Sequence, residues 1–358
     1  MDQKEYDLTV SLHRSPSFLL VGLGSIGKTH LKYILGNSGN IVVIDPNVDV
    51  LRYLELQNLT SSIKYFSSFE SYRHEESPEI AVIANWGPDH FSTIQKLRKL
   101  GVKLLLVEKP LVSKLQDLEE LKKAISNGDL KIITNMPISQ GPLAMRVQEL
   151  QLNKKLGKVQ TILVSGGAKC LVTNGVHYIG LASKIFQSSP LSVVSSIESH
   201  TINPRSVDFV FAEGNSTWQY GNGKNLSVSF SNNSHVQLSI NIICEYGKIV
   251  IEEDLATVYC ISETDHKKID QPARTFYARE ILETFKPYHY ASGLDGMGYL
   301  YDRIQSLDPD VWNDFEHGFR ATEAVIGMLI SSETCSKVEL PIRPEIKEKY
   351  NSREWNIS

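Results

Sequence analysis

The sequence predicts an α/β domain with a doubly wound parallel sheet, followed by an α+β domain with a large, mostly antiparallel open sheet. Strand-like and helix-like runs alternate up to about residue 136, and strand-like runs then follow one another with few helices between them. The length of 358 residues also exceeds what one hydrophobic core usually supports. We therefore predict a dinucleotide-fold domain at residues 1–136 and a second domain at residues 137–358.

The predicted elements of the first domain alternate in kind. Apolar runs typical of buried parallel strands are FLLVG (18–22), IVVID (41–45), AVIA (81–84), KLLLVE (103–108) and KIIT (131–134). Helical spacing of apolar residues predicts helices at 25–35, at about 88–100 and at 114–126. Right-handed βαβ units built from these elements place the carboxyl ends of all the strands at one edge of the sheet.

The second domain is predicted because the sequence pattern changes after Pro137, from alternating strands and helices to successive strands. A helix at 141–152 leads into the strand-like runs VQTILVS, SVDFVFAE, NLSVSFS, HVQLSINII, GKIVIEE and TVYCIS. Turn signals such as GNGKN and SNNSH separate several of them, as antiparallel meanders require. A helix over 314–332 is expected to pack on this sheet, a short strand follows at 338–340, and the charged, proline-containing end is predicted to be extended.

Composition and charge exclude several classes of function. With 41 acidic and 37 basic residues, a net charge of -4 and no long run of one sign, nucleic acid is not an expected partner. No apolar segment approaches the roughly 20 residues that span a bilayer, and the beginning of the chain lacks a signal-peptide pattern. The scattered cysteines fit a reducing cytoplasm, and the histidines show no metal-binding spacing.

A glycine motif follows the first predicted strand and opens the first predicted helix. Its residues are Gly22, Gly24, Ser25, Ile26 and Gly27. Main-chain N–H groups at such a helix start can approach a pyrophosphate, and Asp45, at the end of the next strand, can accept the ribose hydroxyl protons. We therefore predict an NAD site, with NADP disfavoured because a carboxylate repels its 2′-phosphate. A glycine turn without a ligand is the alternative.

Two further residues can carry proton or charge chemistry. Lys109 follows Glu108 at the carboxyl end of a predicted strand, where it can donate to a hydroxyl or ketone oxygen and stabilise alkoxide character. His177 in TNGVHYIG is expected to face the cofactor cleft and exchange the hydroxyl proton. The alternatives are an ordinary surface lysine and a structural histidine.

These motifs, in order from residue 18 to about residue 180, resemble those of the glucose-fructose oxidoreductase / inositol dehydrogenase family, Gfo/Idh/MocA. The segments are VGLGSIG, the strand-end aspartate, ANWGPDH, EKPL, Asn135 and GVHYI. The resemblance implies that Lys109 contacts substrate and cofactor, that His177 acts as acid/base or orients the substrate, and that Asn135 lies near the nicotinamide. Cofactor-loop residues implied by the same likeness are Asn85, Trp86, His90 and Glu108.

The chain departs from the family pattern around His177. Thr173 stands where the family commonly has an aspartate, Asn174 is the nearest polar neighbour, and Gly180 replaces a second aspartate. An imidazole without such partners should be harder to protonate and less firmly oriented. We still expect Lys109, Thr173, Asn174 and His177 to contact the substrate.

The leading functional prediction is an NAD-dependent dehydrogenase or reductase that acts on a secondary alcohol or ketone of a sugar, sugar nucleotide or cyclic polyol. One alternative is a non-catalytic dinucleotide-binding sensor or regulator of the same fold. Another is an enzyme that uses tightly held NAD for a redox-neutral reaction. The resemblance also implies a homodimer or homotetramer.

Overall fold

The structure is a computed structural model. It describes residues 16–36, 40–72, 77–152, 156–167, 169–198, 211–262, 265, 279–288, 295–306 and 310–355. Most of the predicted strand SVDFVFAE, residues 206–210, lies outside the described residues.

The first sheet is parallel and doubly wound, as predicted. Its strands are β1 (Phe18–Val21), β2 (Ile41–Ile44), β3 (Ile63–Phe66), β4 (Ile80–Ile83), β5 (Leu104–Val107) and β6 (Lys131–Thr134). Their order is β3-β2-β1-β4-β5-β6, with every pairing parallel. The order reverses between β1 and β4, and open α/β sheets bind ligands at this switch point.

Four helices of the described residues connect these strands, and three of them agree closely with the predicted periodicity. The four are α1 (Ser25–Leu35), α2 (Asp49–Leu56), α3 (His90–Lys99) and α4 (Leu115–Ser126), and the three predicted ones are α1, α3 and α4. A 3₁₀ turn at Gly87–Asp89 precedes α3 and holds Pro88, where a proline is tolerated. Helix α2 and strand β3 were not predicted.

The second sheet has nine strands within the described residues and is mostly antiparallel, which confirms the predicted class. Its strands are β7 (Val159–Gly167), β8 (Ser192–Glu198), β9 (Glu213–Gln219), β10 (Asn225–Ser231), β11 (Ser239–Cys244), β12 (Gly247–Glu252), β13 (Leu255–Ile261), β14 (Arg279–Phe285) and β15 (Val338–Glu339). Their order is β14-β13-β12-β11-β7-β10-β9-β8-β15, and only the β7 and β10 pair is parallel among these pairings.

Helices that follow β6 in the chain pack on both sheets. They are α5 (Pro137–Gln140), α6 (Pro142–Leu152), α7 (Leu171–Phe186), α8 (Gly296–Gln305), α9 (Phe315–Thr334) and α10 (Pro344–Tyr350). Helices α7 and α9 contact each other and strands of the second sheet. Helix α8 instead buries Leu300, Tyr301 and Ile304 in the core that contains Phe18 and Leu31 of the first sheet and α1. The domain boundary at residues 136 and 137 stays a prediction.

The expectation of an extended chain end is wrong. Residues Pro344–Tyr350 form helix α10, with the proline in the first turn. A proline is compatible with that position because the first helical N–H has no partner in the helix. Buried Tyr350 and Trp355 anchor the segment, and the backbone N–H of Trp355 donates to the backbone carbonyl of Ser113.

Candidate functional site

A cleft of about 900 Å³ opens at the carboxyl ends of β1, β2 and β4. The predicted cofactor residues that line it are Gly22, Gly24, Ser25, Ile26, Asp45, Asn85 and Trp86. The sequence motif and the topological switch point therefore coincide in one place. This coincidence is what a dinucleotide site requires of an open parallel sheet.

The glycines of the motif allow the backbone to come close to itself and to a ligand. Gly22 has a φ of +91°, and a Cβ there would lie 2.6 Å from the N atom of Asn85. A Cβ on Gly27 would lie 2.1 Å from the carbonyl oxygen of Gly22, so only glycine permits this contact between α1 and β1. Gly24 precedes α1 without a side-chain cap, and the first turn has no acidic residue. The helix start thus suits a phosphate.

Asp45 is held in place by backbone amides. Its Oδ2 accepts from the Leu23 N–H at 2.6 Å, and its Oδ1 accepts from the Asn47 N–H at 2.8 Å. Each carboxylate oxygen accepts more than one hydrogen bond, so both retain capacity for a ribose hydroxyl. Tyr65 supports the turn by donating from its hydroxyl to the Asp45 carbonyl. The carboxylate is therefore preorganised at the wall of the cleft.

The loop after β4 carries Trp86 on the cleft wall and His90 beneath it. Trp86 is 40% exposed, whereas His90 is buried with its ring nitrogens 3.0 Å from the Pro110 carbonyl and 3.2 Å from the Asn85 carbonyl. Burial lowers the pKa of His90, and a neutral imidazole donates through only one of these nitrogens at a time. His90 does not line the cleft and braces this loop against the Lys109–Pro110 loop, which contains a cis peptide bond.

Glu108 is the hub of a buried polar cluster at the end of β5. Its Oε1 accepts from His30 Nε2 at 2.9 Å and from Asn135 Nδ2 at 2.6 Å, and its Oε2 accepts from the Lys109 N–H at 3.2 Å. Burial alone would raise the pKa of Glu108, but the hydrogen bond from His30 and nearby positive charge, including Lys109, lower it to about 2. Glu108 is therefore ionised, and in this structure its oxygens hold neighbouring protein groups.

Lys109, which follows β5, and His177, on α7, lie near each other although 68 positions separate them in the sequence. The Nζ of Lys109 donates to the carbonyl of Thr173 at 3.3 Å, and His177 lies one turn later on α7. Burial lowers the pKa of His177 to about 3, with the charge of Lys109 acting in the same direction and Glu108 partly opposing it. The pair thus consists of a cation and a neutral imidazole.

Around His177, the residues at and beside the family's two aspartate positions make contacts of their own. Asn174 donates from Nδ2 to the carbonyl of Cys170 at 2.9 Å and lies 3.3 Å from Thr173 Oγ1, so both side chains serve the start of α7. Next to Gly180, the space for a Cβ is bordered by Ser139 Oγ at 3.1 Å and His317 Nε2 at 3.2 Å. An aspartate at 180 would crowd these groups.

Several buried polar atoms have no hydrogen-bond partner among the described residues, and three of them belong to predicted site residues. They are Asn85 Oδ1, Asn135 Oδ1 and His177 Nδ1. A buried polar group without a partner costs about 1–3 kcal/mol, so a ligand that supplies hydrogen bonds to these atoms would be stabilised. The residues present therefore fit a nicotinamide beside the dinucleotide cleft.

Two residues of the hydrogen-bonded cluster around Glu108, His30 and Tyr301, were missed by sequence reasoning. His30 lies on the buried face of α1, and its Nδ1 lies 2.8 Å from the hydroxyl of Tyr301, which comes from α8. A histidine at a core position of an amphipathic helix signals a need for polar partners. Both partners of His30 are distant in the chain, and Tyr301 carries no local signal.

Two other features of the described residues bear on the site's chemistry and surroundings. Within the described ranges, no group of three His, Cys, Asp or Glu residues is arranged to hold a metal ion. In the same part of the chain, every helix is too short or too polar to cross a membrane.

The fold and the cleft define a dinucleotide-binding α/β protein, and comparison with known proteins places it further. Residues 17–135 match the model of the Gfo/Idh/MocA family, described as an oxidoreductase family with an NAD-binding Rossmann fold. The match spans the parallel sheet of this chain and agrees with the resemblance that its motifs predicted. No curated protein sequence matches the chain.

Solved structures similar to the whole chain share its fold at low sequence identity. A super-repressor mutant of Gal80p from Saccharomyces cerevisiae is 16% identical over 91% of this chain and 97% of that one, with a TM-score of 0.70. A protein described as an NADPH-dependent oxidoreductase from Desulfitobacterium hafniense is 12% identical over 92% and 99%, with a TM-score of 0.72. The WlbA dehydrogenase from Bordetella pertussis, in complex with NADH and UDP-GlcNAcA, is 16% identical over 92% and 100%, with a TM-score of 0.67.

The neutral state of His177 predicts a measurable effect on stability. Because its pKa is about 3 in the folded protein and about 6.5 when unfolded, the unfolded state binds the proton first as pH falls, and stability is lost from about pH 6.5 downward. Between about pH 7 and pH 5, wild type should lose about 1–2 kcal/mol more unfolding free energy than His177→Asn. Urea denaturation at both pH values measures this, and equal losses would show that the imidazole titrates normally.

Proposed function

We propose that the protein is an NAD-dependent oxidoreductase that transfers a hydride between the nicotinamide and a secondary alcohol or ketone of a sugar, sugar nucleotide or cyclic polyol. The observation that carries the proposal is the convergence of Lys109, His177 and the unpartnered Asn135 oxygen beside the dinucleotide cleft. When bound, NAD supplies the hydride acceptor. The substrate class is supported by the hydrogen-bonding character of these groups.

The roles of the chain's own residues follow from charge and position. Lys109 is the cation at the site and stabilises negative charge that develops on the substrate oxygen. His177 is neutral at physiological pH, so it acts as a hydrogen-bonding group that orients a hydroxyl or passes a proton through water. Thr173 and Asn174 shape the start of α7 around the substrate side of Lys109.

Asp45 favours NAD over NADP in this proposal. A 2′-phosphate would replace a hydroxyl donor by an anion next to a carboxylate whose oxygens already accept from Leu23 and Asn47. The same cleft is lined by Ser67, Ser68, Phe69 and Glu70, and Lys96 of α3 lies over the Phe69 ring at 5.2 Å. The local charge therefore supports the dinucleotide without the extra phosphate.

Substituting Asp45 by alanine should weaken NADH binding about tenfold or more and leave NADPH binding unchanged or improved. Tryptophan fluorescence provides the readout, because Trp86 lines the cleft and is 40% exposed. Energy transfer from tryptophan to bound NADH reports binding without turnover, and Trp86→Phe should reduce that signal. Asp49→Ala, an exposed aspartate on α2, is the matched control. Unchanged NADH affinity in Asp45→Ala would contradict the assignment.

Catalysis is tested by incubating the protein with NAD⁺ and a panel of aldoses, sugar nucleotides, uronic acids and inositols while NADH absorbance is followed. The reverse direction uses NADH and the corresponding keto compounds. Turnover that depends on Lys109 supports the enzyme. Tight NADH binding without turnover on any member of the panel supports the alternative instead.

That alternative is a dinucleotide-binding regulator of the same fold. The specific observation that favours it is the absence of a carboxylate partner for His177 at positions 173 and 180, together with structural likeness to Gal80p. Against it stands the buried cluster around Lys109, which a binding-only protein does not need. A homodimer or homotetramer stays a prediction, and sedimentation analysis would decide it.

A further inference from the structure

A continuous chain of hydrogen bonds runs from α8 to the end of β6. The Tyr301 hydroxyl contacts His30 Nδ1 at 2.8 Å, His30 Nε2 contacts Glu108 Oε1 at 2.9 Å, and the same oxygen accepts from Asn135 Nδ2 at 2.6 Å. All four side chains are buried, with exposed fractions of 0–6%. Of these four residues, only Asn135 has a part in the proposed function.

The direction of each bond follows from the ionised carboxylate. Glu108 can only accept, so His30 must carry its proton on Nε2 and Asn135 must turn its amide nitrogen toward Glu108. The amide oxygen of Asn135 then points away from Glu108, and it has no partner among the described residues. The orientation of Asn135 is therefore set by Glu108, to which His30 also donates a hydrogen bond.

We propose that His30 is a positioning residue that, through Glu108, fixes the Asn135 amide so that its oxygen accepts a hydrogen bond from the carboxamide N–H of the nicotinamide. The proposal rests on the proposed function, because it requires a dinucleotide in the cleft. Three features carry it: the directional chain, the burial of every member, and the unsatisfied oxygen at its end.

Removal of His30 should make this orientation depend on pH. In His30→Leu the Glu108 carboxylate is buried without its main partner, so it takes up a proton at higher pH. A protonated carboxyl group can donate to the Asn135 oxygen, which releases the amide to flip. The other titratable groups near Glu108 are Tyr301, Lys109, His90 and His177, and both wild type and His30→Leu retain all four.

The experiment measures the dissociation constants of NAD⁺ and of 3-acetylpyridine adenine dinucleotide, in which a methyl group replaces the carboxamide nitrogen. For wild type we expect pH-independent NAD⁺ binding between about pH 5.5 and pH 8. In His30→Leu, NAD⁺ binding should weaken about fivefold to tenfold as the pH falls through this range, and binding of the acetylpyridine analogue should stay constant. Leu31→Ala, a buried apolar neighbour on α1, is the control and should show neither effect.

A double-mutant cycle tests that His30 acts through Asn135. In the Asn135→Ala background, His30→Leu should cause no further change in NAD⁺ affinity, because the group it positions is absent. His30→Gln, which keeps a donor, should restore pH independence. If His30→Leu does not fold, Glu108→Gln takes its place and should weaken NAD⁺, but not the analogue, at every pH.

The outcomes separate the two proposals. Equal weakening of both dinucleotides, or additive effects of His30→Leu and Asn135→Ala, would overturn the positioning role and show that His30 acts on structure alone. Loss confined to substrate binding would assign the Asn135 oxygen to a substrate hydroxyl and would also overturn it. If wild-type protein binds neither dinucleotide, the proposed function itself fails.

Discussion

Substitution of Lys109 by methionine is expected to lower turnover on the order of a thousandfold, with NADH affinity within about threefold of wild type. The Nζ of Lys109 reaches the first turn of α7, where it meets the Thr173 carbonyl and the neutral His177. Because His177 carries no charge at physiological pH, it cannot replace the lysine as a stabiliser of alkoxide character. The effect should therefore appear in kcat and leave the dinucleotide site intact.

Steady-state kinetics on a substrate found in the panel, together with NADH titration, measure both quantities. Lys103→Met is the matched control, because it removes an exposed lysine next to the opposite end of β5. Lys109→Arg should recover only part of the activity, since a planar guanidinium cannot reproduce the compact ammonium group. Undiminished turnover in Lys109→Met would show that another group bears the charge.

Substitution of Gly27 by alanine should reduce NADH affinity on the order of a hundredfold and lower the free energy of unfolding by about 1–3 kcal/mol. The new Cβ would lie 2.1 Å from the carbonyl oxygen of Gly22, a backbone atom that cannot rotate away. Helix α1 must then move away from β1, which displaces the amide groups that face the phosphates.

Gly36→Ala provides the control for this substitution. Gly36 ends the same helix with a φ of -75°, and a Cβ there meets nothing within 4 Å. This variant should bind NADH like wild type and be as stable or slightly more stable, because alanine restricts the unfolded chain. Wild-type NADH affinity in Gly27→Ala would mean that the dinucleotide does not depend on the close contact between α1 and β1.

Local patterns in the sequence were sufficient for most of the first domain and for its motif residues. The apolar runs at β1, β4 and β5 are buried on both faces, so composition alone reveals them. Strand β3, with the sequence IKYF, is buried only at Ile63, and α2 has only 8 residues with two of them buried, so both patterns are too short to stand out. Both lie toward the edge of the sheet, where less surface is buried.

Contacts between residues that are distant in the sequence could not be predicted from local patterns. The cluster around Glu108 joins His30 to Tyr301, which are separated by 271 positions. Helix α8 lies among the strands of the second domain in sequence but completes the core of the first sheet. His90 shows that a local motif can also be recognised without revealing its contacts. The family motif placed His90 near the cofactor, whereas its ring contacts two backbone carbonyls beneath the loop.

The most direct test of the account is calorimetric titration of the folded wild-type protein with NADH. We expect saturable binding of one NADH per chain, which Gly27→Ala and Asp45→Ala weaken and Gly36→Ala and Asp49→Ala leave unchanged. Folded protein that takes up neither NADH nor NAD⁺ would contradict the dinucleotide site, and with it the roles assigned to Lys109, Asn135 and His30.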